Sequence, residues 1–405
     1  ALFGSSSIGG TVNIITKDPI INSAEAAHTL TSQGVSGALD NNTTINASLV
    51  SDNHRAGMMV YGQSRDRGGY DHDGDGYTEI PMLKSQTVGF RSYIRTSDLS
   101  KLTFQYHGVK EFRRGGDNIS NPPHEAEIAE QTDHKINGGG INFDIYSLDE
   151  SKKFNVFSSF QHTKRDSYYG GGYDLDAYGW TKDFVIVSGA QYTQRWQRLW
   201  FMPAEFVGGF EHNYNYLRDV SVGYNHDVLQ KVHNYSVYLQ NEWRTDMWGF
   251  LIGGRLDKHT LVDHAIFSPR ANVRYNPSKE VNFRLTYSSG FRAPQAFDED
   301  FHIAVVGGER VVTVLADGLK EERSNSISLS GDFYHNFGTV QTNLLVEGFY
   351  TDLSDVFALR ELDELDAMGN KVLERYNGSG ARVMGANIES RVVFSHDMQL
   401  LSCFT

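Results

Sequence analysis

Cysteine is almost absent from this chain: its 405 residues contain one, Cys403. A single thiol excludes any internal disulfide, so hydrogen-bonded strands and packing must hold the fold. Proline is also scarce, 8 residues against 40 glycines, a balance that suits many extended segments joined by turns. No stretch reaches the ~18 uninterrupted apolar residues of a membrane-crossing helix, and the mean hydropathy is -0.43. Neither fact excludes a membrane barrel. Its strands alternate lipid-facing apolar with inward polar residues and keep the mean hydropathy of a soluble chain. Positive charge is in deficit: the formal net charge is -13 and the isoelectric point about 5.6. That disfavours nucleic acid as a partner, because phosphate binding needs a basic surface, and it suits cations. The chain opens on Ala1 without the charged and apolar regions of a secretory signal, which predicts a piece of a longer protein. No Ser/His/Asp, Cys/His or paired-carboxylate arrangement has a spacing suited to catalysis, so no enzyme is expected.

The chain is rich in aromatic residues, 21 Tyr and 24 Phe. It is also rich in segments of ~9 to 11 residues with a period of two, the length and pattern of tilted transmembrane strands. Residues 281–288 place Val281, Phe283, Leu285 and Tyr287 on one face and Asn282, Arg284, Thr286 and Ser288 on the other. Residues 234–244 repeat this, with Tyr235, Val237, Leu239 and Trp243 outward and Asn234, Ser236, Tyr238, Gln240, Glu242 and Arg244 inward. A soluble sandwich alternates too, but the connections argue for a barrel. Short polar turns at 51–54, 97–100, 148–152, 276–279 and 335–338 alternate with long Gly-, Tyr- and Asp-rich segments at 65–84, 111–134, 165–183, 292–322 and 352–380. Brief turns at one end and long loops at the other are the habit of outer-membrane barrels. Trp196, Trp200, Phe201, Trp243 and Trp248 gather near strand ends, as interfacial girdles do; ordinary core positions are the alternative. The expected fold is therefore all-β, a transmembrane antiparallel barrel with about 16 to 17 strands counted along the chain.

Three motifs carry further meaning. Residues 1–17 read Ala-Leu-Phe-Gly-Ser-Ser-Ser-Ile-Gly-Gly-Thr-Val-Asn-Ile-Ile-Thr-Lys. This run resembles the segment that closes the plug domain of TonB-dependent outer-membrane receptors, with Phe3 for Tyr and Ser7 for Ala as departures. On local chemistry alone it is a Gly-punctuated turn before an apolar strand. The second motif, Gly290-Phe-Arg-Ala-Pro followed by Leu319, Lys320, Glu322 and Ser324, resembles a box pair of the same family, although both prolines of its second half are missing. In haem-uptake members a histidine between these boxes ligates iron, and His302 occupies that interval; a solvated loop histidine is the alternative. The third motif is residues 70–79, Tyr-Asp-His-Asp-Gly-Asp-Gly-Tyr-Thr-Glu. Asp71, Asp73 and Asp75 at alternate positions, with Gly76 for the sharp turn, reproduce the first half of an EF-hand-type calcium loop. Met82 stands where the twelfth-position Glu belongs, and Glu79 is the candidate replacement. The cation implied is Ca2+, against a solvated acidic turn.

The resemblance extends over essentially the whole chain and implies a division into residues 1–19, the end of a plug, and 20–405, a barrel. Family barrels have ~22 strands, so the barrel is expected to be truncated at its C-terminal side. The implied function is energy-coupled uptake of a scarce metal chelate, a ferric siderophore first, with cobalamin and then haem as alternatives. A non-transporting adhesin or phage and bacteriocin docking barrel is the rival from another class. The implied partners are the chelate, outer-membrane lipid and the TonB-ExbB-ExbD complex acting through a box before Ala1; a surface lipoprotein is a further candidate. The implied location is the outer membrane of a Gram-negative bacterium. Candidate substrate contacts are Arg113 and Arg114, which suit an anionic chelate, and the aromatic faces of Tyr168, Tyr169, Tyr173, Tyr178 and Trp180. Arg292, expected to pair with the acidic run 298–300, and His302 complete the set.

Overall fold

The computed structural model describes residues 16–34, 38–224, 226–295, 305–306, 309–367, 369–395 and 398–405. Residues 1–15 of the plug-like motif 1–17, the acidic run 298–300 and His302 lie outside them. Thirteen strands follow one another as an antiparallel meander: β1 (Ser23–Gln33), β2 (Ala38–Val50), β3 (Ala56–Arg67), β4 (Met82–Ser97), β5 (Ser100–Gly116), β6 (Ile128–Tyr146), β7 (Lys152–Gly171), β8 (Tyr178–Leu199), β9 (Met202–Ser221), β10 (His226–Arg244), β11 (Trp248–His259), β12 (Ile266–Ser278) and β13 (Val281–Arg292). Four more, β16 (Glu322–Phe337), β17 (Val340–Ser354), β20 (Ala381–Ser395) and β21 (Met398–Phe404), extend it into one 17-stranded sheet. Between them β14 (Val305–Val306), β15 (Glu309–Leu315), β18 (Phe357–Glu361) and β19 (Lys371–Asn377) form a separate small sheet. Among the described residues β1 pairs only with β2 and β21 only with β20, so the large sheet is open between these two edges. Seventeen strands agree with the expected number. No described helix is long and apolar enough to cross a membrane.

Period-two alternation sorts the two faces as the sequence implies. On β10, Tyr235, Val237 and Leu239 are 47–55% exposed, whereas Asn234, Ser236 and Tyr238 are 1–5% exposed. The apolar face is thus the outer one, and polar groups are buried on the inner one. That is the reverse of a water-soluble sheet, and it is what lipid on the outside demands.

The short turns fall within three residues of their expected places, with left-handed residues at His54, Glu150 and Gly338, and a further one, with left-handed Trp200, joins β8 to β9. The long segments do not. The sequence predicts loops over 111–134 and 165–183, yet β5 and β6 run to Gly116 and from Ile128, and β7 and β8 run to Gly171 and from Tyr178. A tilted strand needs only ~9 to 11 residues to cross a bilayer, and these have 17 to 22. Their ends therefore stand clear of the lipid, where both faces carry polar residues and the alternation that marks a strand fades. The segments 292–322 and 352–380 are likewise not plain loops: β15 pairs in parallel with β19, so one connection is hydrogen-bonded to the other.

Aromatic side chains form two belts on the outer face. At the short-turn end, Trp200 and Phe201 stack on Trp243 at 5.5 and 5.7 Å, and Phe201 reaches Phe250. Trp248 then stacks on Phe250 and on Tyr275, at 5.7 and 4.3 Å. Trp243 was expected to face outward and does so by register. It is nonetheless buried, because the turn residues cover it and its indole N–H donates to the Leu199 carbonyl at 3.2 Å. Toward the long connections a second belt runs through His162, Phe184, Tyr214, His233, His212 and Tyr235. Two such belts bracket the lipid-facing band of a barrel.

Candidate functional site at the mouth of the inner face

Alternate positions of a strand share a face, so Arg65 and Arg67 at the end of β3 and Arg113 near the end of β5 all lie on the inner side. Arg65 is paired with Asp40 through Nη2 at 2.5 Å, and Arg113 with Glu111 through Nε at 2.7 Å. Arg67 donates to the Pro81 carbonyl, from Nε at 3.2 Å and Nη2 at 3.1 Å, and makes no ion pair among the described residues. Burial and the neighbouring guanidinium of Arg65, with a smaller effect from Arg113, push the Arg67 pKa below its usual value. The mouth therefore holds three guanidiniums, two of them matched by carboxylates. In the sequence Arg65 and Arg67 open a Gly-, Tyr- and Asp-rich segment without the alternation that marks a strand. Their Arg-Asp-Arg spacing was the available signal.

Arg113 and Arg114, neighbours in sequence, point to opposite faces. Arg114 is 1% exposed, and its guanidinium is spent on backbone carbonyls, those of Gly115 and, at 3.1 Å, Asp117. It ties down the connection after β5, and of the two it is Arg113 that is half-exposed. The aromatic segment divides in the same way. Tyr168 is buried with Ala126, Ala129 and Ala177 in a small core between connections, edge-to-face with Tyr178 at 4.9 Å, and its hydroxyl donates to the Asp174 carbonyl at 2.9 Å. Tyr178 is exposed and shares a 2.7 Å hydrogen bond with His124 Nδ1. Tyr169, opposite Glu130, is half-buried, and Tyr173 is exposed at a left-handed turn. Trp180 lies on the outer face beneath Lys182 and Arg218, at 4.8 and 5.6 Å.

The acidic segment between β3 and β4 closes on itself. Asp71 accepts from the Gly74 and Gly76 amides at 2.7 and 2.9 Å, Asp75 from Tyr77 at 2.8 Å, and Glu79 from His72 at 2.5 Å. Gly74 and Gly76 hold φ of +79° and +95°, which other residues rarely adopt. Asp71, Asp73, Asp75 and Glu79 each offer an oxygen, all within 4.8 Å of one another. Oxygens that share a Ca2+ at 2.3–2.6 Å are at most about 5 Å apart, so the four carboxylates fit that ion. The Tyr77 hydroxyl donates to Glu127 at 2.9 Å, linking this segment to the next connection, and the bond raises the phenol pKa.

At the end of β13, Phe291 and Ala293 are buried against Val262 and Ile266. The Arg292 guanidinium lies over the Phe357 ring at 5.8 Å, and Glu322 accepts from the Phe357 amide at 3.2 Å. The box pair thus anchors the long connections to each other. Next to it, Glu321 binds Arg323 Nη2 at 2.7 Å and His264 Nε2 at 3.0 Å.

Residues 25–402 match the family model described as TonB dependent receptor-like, beta-barrel. No curated protein matches in sequence. Among solved structures, the siderophore receptor PirA from Pseudomonas aeruginosa superposes with a TM-score of 0.80 at 15% identity, covering 100% of this chain and 69% of its own. A mutant ferric enterobactin receptor, PfeA, of the same organism in complex with enterobactin gives 0.80 at 12%, covering 100% and 65%. A double mutant of the Serratia marcescens hemophore receptor HasR, in complex with its hemophore HasA and heme, gives 0.69 at 12%, covering 92% and 61%. The chain spans less than two thirds of the length of most of these neighbours. With the meander, the inverted face polarity and the paired belts, the match over nearly all of its length establishes that this chain belongs to the TonB-dependent receptor-like β-barrel family.

Proposed function

We propose that this chain is the barrel wall of a receptor that takes up a scarce, anionic metal chelate, a ferric siderophore first, across the outer membrane of a Gram-negative bacterium. The observation that carries this reading is the arginine group at the inner mouth, with Arg67 in no ion pair among the described residues. A planar guanidinium binds anionic oxygens in a fixed fork, and Arg67, Arg65 and Arg113 together offer such forks to a ligand descending between the long connections. Membership of the receptor family supports transport rather than catalysis, and the neighbours described as siderophore and ferric enterobactin receptors support the chelate class. Residues 1–19 are read as the end of an internal plug. Asp18 is held on the inner face by Arg91 at 3.2 Å and Lys101 at 2.7 Å, which supports a chain segment entering there. TonB-ExbB-ExbD is then the partner that drives uptake through that plug, and Ca2+ is the ion that orders residues 71–79.

Arg67→Ala in the full receptor should weaken binding of a ferric catecholate about tenfold, since a hydrogen bond to a charged group contributes about 1.5–3 kcal/mol. Arg67→Lys should fall between, because it keeps the charge and loses the fork. Fluorescence-quenching titration measures both. An alanine variant that binds like the wild type would remove the mouth arginines from the substrate site.

A further inference from the structure

Five basic side chains stand directly opposite one another on five adjacent strands. The register pairs Lys110 of β5 with Lys135 of β6, Lys135 with Lys164 of β7, Lys164 with Lys182 of β8, and Lys182 with Arg218 of β9. Lys231 of β10 continues the row one step lower, over the Tyr216 ring at 5.9 Å. All lie on the outer face. The lysines are exposed, while the alternating inward residues Thr181, Asp219 and Arg165 are buried. Like charges directly opposite across a sheet destabilise it, and the lysines of the row make no ion pair among the described residues. Arg218 alone is paired, with Asp227 at 3.0 Å. Asp133 and Asp166, opposite each other one row nearer the long connections, do not pair with the row either.

The height of the row says what neutralises it. His162 and Phe184 of the second aromatic belt, and Tyr216 opposite Phe184, flank it on the side toward the short turns. Phe184 of the second belt and Trp196 of β8, which through Ala204 stands level with Trp243 of the first belt, are twelve residues apart, roughly 30 Å along the axis of a barrel whose strands tilt by ~40°. That matches a lipid-facing band with its two interfaces. The cationic row lies just beyond the outer belt, at the depth of lipid headgroups. We propose that Lys110, Lys135, Lys164, Lys182 and Arg218 form a docking surface for the phosphate groups of lipids in the leaflet on the long-connection side. Surface lysines at a membrane attract anionic lipid cumulatively, each contributing about fivefold. The proposal rests on the barrel spanning a membrane as its family does, and not on which chelate it carries.

The test is native mass spectrometry of the full receptor in non-ionic detergent, titrated with bisphosphorylated lipid A. The wild type should retain this lipid. The triple variant Lys135→Gln, Lys164→Gln, Lys182→Gln should bind it on the order of a hundredfold more weakly, while the triple Lys→Arg variant should stay within about threefold of wild type. Heat-modifiability in gels verifies that each variant is folded. Excess inorganic phosphate should leave lipid binding unchanged. Equal lipid affinity in the folded glutamine variant would overturn the proposal, and so would displacement of the lipid by free phosphate. Because the row is on the opposite side of the wall from the mouth arginines, chelate binding by the glutamine variant should equal that of the wild type.

Discussion

Asp257→Ala should destabilise the folded barrel by about 3–5 kcal/mol, the range for breaking a buried charge pair by removing one partner. Asp257 is fully buried on the inner face of β11 and accepts from Arg255 Nε at 3.0 Å, Ser236 Oγ at 2.6 Å and Asn234 Nδ2 at 2.9 Å. Arg255, 1% exposed, reaches Glu211 at 2.7 Å through Nη2, which also donates to Ser236 at 2.6 Å. Strands β9, β10 and β11 are therefore joined by one network in which Arg255, Ser236 and Asn234 all donate to Asp257. Deleting Asp257 leaves the buried guanidinium beside Glu211 alone among the carboxylates of the described residues, and it takes one acceptor from Asn234 and the acceptor of the Ser236 hydroxyl. Asp257→Asn keeps an acceptor and should cost less. Asp66→Ala, exposed on the outer face, should stay within about 0.5 kcal/mol of wild type. Reversible urea unfolding in lipid vesicles measures all three. A wild-type midpoint for Asp257→Ala would show that Arg255 is satisfied without it.

Ca2+ binding should disappear entirely when Asp73 and Asp75 are both replaced by alanine. Four carboxylate oxygens within 4.8 Å carry the site, and removing two of them takes away half of its protein charge. The wild-type receptor should bind one ion with a Kd of about 10⁻⁴–10⁻³ M, the range of extracellular modules. Tyr77 links this segment to Glu127 at 2.9 Å, and the Thr78 amide donates to the Gly116 carbonyl at 3.2 Å. The ion should therefore also slow proteolysis of the connection between β5 and β6, by stabilising the state that binds it. Calorimetric titration and timed digestion with and without a chelator read the two effects. An unchanged calcium isotherm in the double variant would leave the segment a solvated acidic turn.

Much of this molecule is legible in one dimension. Alternation at 281–288 and 234–244 reports strands and their two faces, because a strand repeats every two residues and lipid on one side forces the contrast. The spacing of Asp71, Asp73, Asp75 and Glu79 is local, so the turn that gathers them is encoded by the same few residues. The strand ends at 111–116 and 165–171 were lost, because outside the lipid both faces are polar and the period has no contrast to display.

What only the tertiary structure decided is set by register across the sheet. Arg67 stands level with Arg113 across the intervening strand β4, and Trp243 is covered by a turn 42 positions away. Asp257 becomes the acceptor for Ser236 on the neighbouring strand. The row from Lys110 to Arg218 is the plainest case: its members are 18 to 36 residues apart, scattered with no motif among them. They align because each turn length fixes how far one strand slides along the next. A one-residue slip would send the slipped strand's basic side chain to the inner face. The sequence by itself therefore determined the family, the membrane-crossing strands and the acidic turn. The registers of successive hairpins decided which distant charges stand together and whether they face the lumen or the lipid.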